Sequence, residues 1–356
     1  MTTLAKRSEI LFFYDSRMSN PNGDPDENKP RFDSETQKIY VTEFRLKRTI
    51  RKYMDEVMVD HKILLKQELD EELEKEQNEE GFKMLDKLAK KYIDIKPVGK
   101  GKKIPKIKRD ELLADHIDIR LFGILFVVGK ENFKSTDKDV KSGLNFKQIG
   151  PVQFGIGQSL NTLKEDTDII RIGMTSLVPN TKNEAGISKG GSFGEKWIVR
   201  YAFIQHHGFV NNNIANDVKL TETDVNIMLT AMWNGTDVLA TTSKFGQKSR
   251  LLIKVNYKGN GYIGDLDLMT RLEYNKEETL EDITQVTLNL DGLLDILKNN
   301  KGIIDNIEFQ YNSVLTCRYY EKTGTFDKII NKWSEDSDIA ISKLDFSSVS
   351  KGEEKE

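Results

Sequence analysis

The run EILFFYDSRM, Glu9 to Met18, followed at once by the loop segment NPNGDPDENKP, Asn20 to Pro30, decides how this chain reads. Apolar and aromatic side chains crowd the first run, which predicts a buried first strand. Pro, Gly, Asn and Asp dominate the second, so it must be a loop, with Asn22-Gly23 as a tight turn. Downstream, Thr42 is placed to cap a helix running from about Glu43 to Val59. On that helix Phe44, Ile50 and Tyr53 fall near one face, with Leu46 and Val57 beside it. Arg45, Lys47, Arg48, Arg51 and Lys52 spread round the remainder.

Working outward, residues 60 to 96 read as charged helix standing off the core, and a basic loop runs on to Arg109. Ile117 to Val128 (IDIRLFGILFVV) is too short to cross a bilayer and reads as core. Ile149 to Phe154 is a strand candidate. Ile169 to Val178 and Trp197 to Gln205 are strand-like runs separated by the Gly-, Ser-, Asn- and Lys-rich segment 180 to 196, a hairpin or long loop. Thr221 to Trp233 has a capping residue, an acidic first turn and helical apolar spacing. Arg250 to Tyr257, Ile283 to Leu290, Ile304 to Tyr311 and Val314 to Tyr320 read as strands, and Asp291 to Lys298 as helix. The order is no regular alternation of strand and helix, so the fold class is α+β with a mostly antiparallel sheet.

The 356 residues contain 37% hydrophobic and 31% charged side chains, enough for a real core under a heavily solvated surface. Met1 to Glu9 lacks a signal-peptide core and no apolar run spans a bilayer, so no membrane role is expected. Cys317 is the single cysteine, which leaves no disulfide framework and fits a reducing cytoplasm. Net charge is −3, without the basic excess of many nucleic-acid binders. The charge is segregated instead. Residues 68 to 80 are acidic, while 45 to 52 and 99 to 109 are basic.

Several motifs fail on chemistry. Asp24 to Glu35 spaces its oxygens like a calcium loop but has Lys29 where the sharp turn needs Gly. Gly259, Gly261 and Gly264 match a dinucleotide fingerprint, yet Asp265 and Asp267 sit where the pyrophosphate would go. His206 and His207 are adjacent and would face opposite sides of a strand; a metal centre is not expected. No cofactor and no catalytic residue is assigned.

The positive features suit single-stranded RNA. Arg45 to Lys52 holds five cations on barely two helical turns. Thr242 to Lys248 mixes hydroxyls, cations, an amide and a Gly, groups that meet phosphate and ribose. The Gly-rich run Gly150 to Ser159 allows close backbone approach. In combination, PNGDP at Pro21 to Pro25, PR-x-D at Pro30 to Asp33 and VT-x-x-x-LKR-x-IR from Val41 to Arg51 resemble the CRISPR Cascade backbone subunit, the Cas-seven family, in its type I-B branch. DIRLFG at Asp118 to Gly123, GPVQF at Gly150 to Phe154, SLN at Ser159 to Asn161, G-F-V-N at Gly208 to Asn211, AMW-x-G at Ala231 to Gly235 and SK-x-GQ at Ser243 to Gln247 continue the match.

The resemblance implies one palm domain over residues 1 to 345, RNA-recognition-motif-like (ferredoxin-like) with an antiparallel sheet. It implies helical and basic fingers within 55 to 115, a thumb hairpin at 176 to 196 and a charged disordered tail from 346. It implies several copies stacked along a guide RNA (crRNA), other Cascade subunits as partners and target DNA met through the guide. Lys47, Arg48 and Arg51 carry over as phosphate contacts, with Arg45 beside them. Gln153, Ser159, Ser243, Lys244 and, in the thumb, Lys189 follow as further RNA-binding residues. No RNP-type run of aromatics is present, so bases are not expected to stack on the sheet. One rival is a backbone subunit that cleaves target RNA with Asp33 or Asp24. The other is a nucleotide-binding enzyme built on the GNGYIG turn.

Overall fold

The computed structural model describes residues 4–58, 60–65, 91–98, 102–130, 133, 139–176, 192–238, 241 and 243–346. The chain begins with β1 (Ser8–Ser19), β2 (Phe32–Asp33), β3 (Lys38–Val41) and helix α1 (Glu43–Glu56). The ribbon β4 (Ile93–Pro97) with β5 (Lys103–Ile107) follows, then helices α2 (Arg109–Asp115) and α3 (Ile117–Phe122) and a second ribbon, β6 (Gly123–Val128) with β7 (Leu144–Ile149). Short strands β8 (Val152–Phe154) and β9 (Gly157–Ser159) and helix α4 (Glu165–Asp168) lead to the hairpin β10 (Ile169–Ser176) with β11 (Ser192–Val210). Helices α5 (Asn212–Val218) and α6 (Glu222–Val238) precede β12 (Gln247–Tyr257). The remainder is β13 (Arg271–Glu273), β14 (Thr287–Asn289), α7 (Asp291–Asn299), β15 (Ile304–Tyr311), β16 (Thr316–Tyr319), β17 (Lys322–Gly324), α8 (Phe326–Ser337) and β18 (Ala340–Lys343).

The main sheet runs β18-β15-β12-β1-β11-β9-β3-β2, and β8 and β10 also pair with β11. β1 lies at its centre, antiparallel to β11 and to β12. The expected antiparallel pairing holds around this centre. At the far edge β18 joins β15 in parallel, so the sheet is mixed.

Strand alternation explains why β1 is apolar at every position from Ile10 to Tyr14. Ile10, Phe12 and Tyr14 enter one core with Leu46, Ile50 and Met54 of α1 and Met228 and Met232 of α6. Leu11 and Phe13 enter another, with Leu293, Leu294 and Leu297 of α7 and Phe326, Ile330 and Trp333 of α8. The sheet is therefore a middle layer, covered on both faces. Gly235 lets α6 lie close against α1, because a Cβ there would meet the Tyr53 Cβ at 3.0 Å and the Thr49 carbonyl oxygen at 3.2 Å.

Helix α1 starts where Thr42 caps it, the Thr42 hydroxyl accepting from the Arg45 N–H at 3.3 Å. Its buried stripe is Leu46, Ile50, Tyr53 and Met54. Phe44 is 73% exposed and Val57 49% exposed, which corrects their placement on the buried face. Three further readings change. Ile117 to Val128 is not one core run. Gly123, at φ 76°, breaks it into a buried helix and a ribbon strand with Leu125 and Val127 exposed. Residues 93 to 96, read as helix, pair with residues of the stretch 103 to 107, read as loop, as the first ribbon; Ile93 and Ile95 alternate along its first strand. Within Ile283 to Leu290, a 3-10 turn at Ile283–Gln285 precedes the short strand β14. The hairpin expected around 176 to 196 is present as β10 and β11, paired from Ile169↔Val199 to Ser176↔Ser192. Its connecting residues, the acidic block 68 to 80 and the tail from 347 lie outside the described residues.

Candidate nucleic-acid interface

One end of β1, the start of α1 and the loop before β12 converge. The Asn20 N–H donates to the Ser243 carbonyl at 2.7 Å. The Asn20 carbonyl accepts from Lys244 Nζ at 2.6 Å and from Gln247 Nε2 at 3.3 Å. The Lys244 and Phe245 N–H groups both donate to the Thr241 carbonyl, at 3.0 and 2.9 Å. Gly246 closes this turn at φ 110°, its backbone so near β1 that a Cβ would lie 2.2 Å from the Arg17 carbonyl oxygen. On the α1 side, Asn22 Oδ1 accepts from the Thr42 N–H at 2.9 Å and from the Thr42 hydroxyl at 3.1 Å. The PNGDP loop thus fixes the helix start.

Three cations meet here. Burial, then the Arg45 and Arg48 guanidiniums, push the Lys244 ammonium down to about 7. Burial also lowers Arg45 to about 10, with Tyr14 opposing and Arg48 adding to the effect. Arg45 donates to Thr49 Oγ1 on its own helix. Arg48 is exposed and forms no hydrogen bond or ion pair among the described residues. Cations in the first turns of a helix also oppose its dipole, whose positive end lies there. Mutual repulsion and dipole alike would be relieved by an anion, and a helix N-terminus with arginines is a ready place for phosphate.

The rest of the basic helix is engaged differently. Arg51 pairs with Asp118 at 3.2 Å and lies 5.0 Å from the Phe122 ring centroid. Asp118 is fully buried and also accepts from the Leu64 and Leu65 N–H groups at 3.0 and 3.1 Å. Arg51 therefore anchors α3 to α1, and its charge is already met. Burial, then Arg51, lowers the pKa of Lys47, whose ammonium reaches Gln153 Oε1 at 3.2 Å and sits 5.5 Å from the Phe122 ring. Gln153 is exposed, with Nε2 donating to the Gly150 carbonyl at 2.8 Å, so it marks the margin of the surface. Lys52 lies 3.6 Å from Glu56. Ser159 is buried, accepting from the Ile39 N–H at 3.1 Å and donating to the Asn161 carbonyl at 2.7 Å, so it knits edge strands and does not reach the surface. Ser243 offers its carbonyl to Asn20 at the cluster itself. Lys189 lies outside the described residues. Asn20, Asn22 and Asp118 matter to the site but were not assigned to it from the sequence. Only the loop chemistry of NPNGDP hinted at the first two.

The other motifs have structural occupations. Asp24 Oδ1 accepts from the Asp26 and Glu27 N–H groups at 3.0 and 2.8 Å. Asp33 accepts from the Glu35 N–H at 3.0 Å and the Thr36 hydroxyl at 2.6 Å. Both carboxylates close turns. In the GNGYIG turn the Gly264 N–H donates at 3.1 Å to the buried Glu9 carboxylate, which Tyr257 OH and His207 also meet. The anion at this turn is the protein's own. Burial disfavours the His207 cation, but Asp267 and Glu9 outweigh it and raise the pKa to about 9. Burial holds His206 at about 4 on the opposite face, stacked on Tyr14. Among the described residues no group of three His, Cys, Asp or Glu could hold a metal ion, and no helix is long and apolar enough to cross a membrane.

The chain presents a mixed sheet covered by helices on both faces, with a cluster of cations at one end. A family model for CRISPR-associated protein Cas7 matches residues 6–291, and the chain belongs to that family. A CRISPR-associated protein Cas7 of Haloferax volcanii is 28% identical over 353 residues, covering 94% of this chain and 95% of its own length. A chain from a CRISPR RNA-guided surveillance complex is similar at 12% identity with a TM-score of 0.46, covering 92% of this chain and 99% of that one. A second, from such a complex in a pre-nicking state, gives 12% identity and a TM-score of 0.45, over 93% and 100%.

Proposed function

We propose that this chain is a non-catalytic backbone subunit of a type I, I-B-like, CRISPR surveillance complex. Copies stack along a guide RNA in the cytoplasm, grip its phosphates and leave its bases free to pair with target DNA. The observation that carries this is the joining of the Lys244 turn to the start of α1: Lys244 Nζ donates to the Asn20 carbonyl, and Asn22 holds the Thr42 cap of the helix that bears Arg45 and Arg48. Such a cluster suits a polyanion of any sequence, because phosphate contacts carry no sequence information. Base pairing then does the reading.

The strand order β12-β1-β11 with β8 and β9 outside, and α1 and α6 together on one face, supports an RNA-recognition-motif-like palm. The two ribbons within 55 to 115 and beyond fit fingers, and the β10–β11 hairpin fits a thumb with Lys189 at its connection. Free-standing modules of that kind stack bases on the open sheet face. Here α7 and α8 bury that face, which favours gripping the backbone at the sheet end instead.

The test is to express the chain with its partner subunits and a CRISPR array transcript, purify it and sequence the bound RNA. Processed repeat–spacer RNA with every spacer represented is expected. A monomeric protein carrying no RNA, or random cellular RNA, contradicts the reading.

A further inference from the structure

We propose that Phe44 and Phe245 are nucleobase-stacking platforms beside the Arg48 and Lys244 cations. This rests on the RNA-binding reading above and goes beyond phosphate gripping. The two rings are 73% and 77% exposed, higher than any other large apolar side chain among the described residues. A single exposed phenyl needs no explanation. Two of them beside one cation cluster form a pattern. Phe44 lies one helical turn before Arg48, on the same face of α1. Phe245 directly follows Lys244. Lys244 Nζ donates to the Asn20 carbonyl and Asn22 holds the Thr42 cap of α1, so both rings stand at the end of the sheet that carries Arg48 and Lys244.

Both rings stand on fixed backbone. Phe44 occupies the first turn of α1, whose cap Thr42 is tied to Asn22. Phe245 sits in a turn held on both sides: its N–H donates to the Thr241 carbonyl, and Gly246 packs on Arg17. Holding an apolar ring outward on a rigid turn lowers the ordering cost of a partner. The surrounding charge selects its class. An apolar protein surface laid on both rings would bury Arg48 and Lys244 without counter-ions. Single-stranded RNA supplies phosphates for the cations and a flat face for each ring. Every base has such a face, so the contact tolerates any guide sequence.

The experiment is a titration of the full chain with labelled single-stranded RNA and with an abasic strand of equal length. Phe44→Leu and Phe245→Leu keep apolar bulk and remove the aromatic face; Phe44→Tyr and Phe245→Tyr restore it. Each Leu variant is expected to bind intact RNA roughly tenfold more weakly, with unchanged salt dependence, and each Tyr variant to recover most of the loss. The abasic strand is expected to bind wild type and Leu variants alike. Arg48→Ala is the control and should lower the salt slope for both strands. Leu variants that bind intact RNA like wild type, while Arg48→Ala weakens it, overturn the stacking proposal and leave the phosphate site standing. Leu variants that keep RNA but lose association with other subunits assign the rings to a protein contact and also overturn it. Wild-type chain that binds neither strand overturns both readings.

Discussion

Arg48 and Arg51 are one turn apart on the same helix, yet they meet opposite surroundings. Arg51 finds a buried carboxylate at 3.2 Å and an aromatic ring, and it ties α1 to α3. Arg48 finds Arg45 and Lys244, two more cations, at the open end of the sheet. The first region is electrostatically closed and the second is not. What this teaches is that a basic helix can serve stability with one stretch and ligand binding with another. The partner from a distant segment decides which.

The largest effect should come from the closed region. Asp118→Ala removes the acceptor for Arg51 and for two backbone N–H groups. It should cost about 3–5 kcal/mol of stability, because a half-buried guanidinium is left unpaired. Chemical denaturation measures it, and RNA affinity of the folded fraction should stay near wild type. Ser159→Ala is a smaller loss of the same kind. It leaves the buried Ile39 N–H without its partner and should cost about 1–3 kcal/mol, again with RNA binding intact. A loss of RNA affinity without a loss of stability in either variant would blur the contrast between the regions.

The open region should respond to pH. With Lys244 near 7 in the free protein, raising pH from about 6 to 8 removes its charge and should weaken RNA binding several-fold. Folding stability should move the other way. Its folded-state pKa lies below the ordinary 10.5, so the unfolded chain holds a proton that the folded chain has shed, and stability rises from pH 7 to 10.5. Lys244→Arg keeps its charge throughout and should abolish the affinity trend. Equal trends in wild type and Lys244→Arg would remove Lys244 from the interface.

Much of the fold was legible because its signals are local. The continuous apolar run of β1, the Thr42 cap and the acidic start of α6 each sit within a few residues. Phe44 was misplaced for a related reason. Counting apolar residues put it on the core face, whereas the true stripe runs through Leu46, Ile50, Tyr53 and Met54. In Ile117 to Val128, hydrophobicity alone hid the break at Gly123. The site was legible in composition but not in detail. Arg51 and Asp118 are 67 residues apart, so their pairing is invisible along the chain. The approach of Arg48 to Lys244 depends on β1 pairing with β12. The covering of the second sheet face by α7 and α8 is equally a matter of tertiary packing.

The salt dependence of RNA binding by wild type, Arg48→Ala/Lys244→Ala and Arg51→Ala tests the contrast most directly. The plot of log affinity against log salt should lose about 1.4 from its slope in the double variant, roughly 0.7 for each phosphate contact on a single strand. It should be unchanged in Arg51→Ala. A slope that stays fixed in the double variant, or falls as far in Arg51→Ala, would contradict the division of α1 into a closed and an open region.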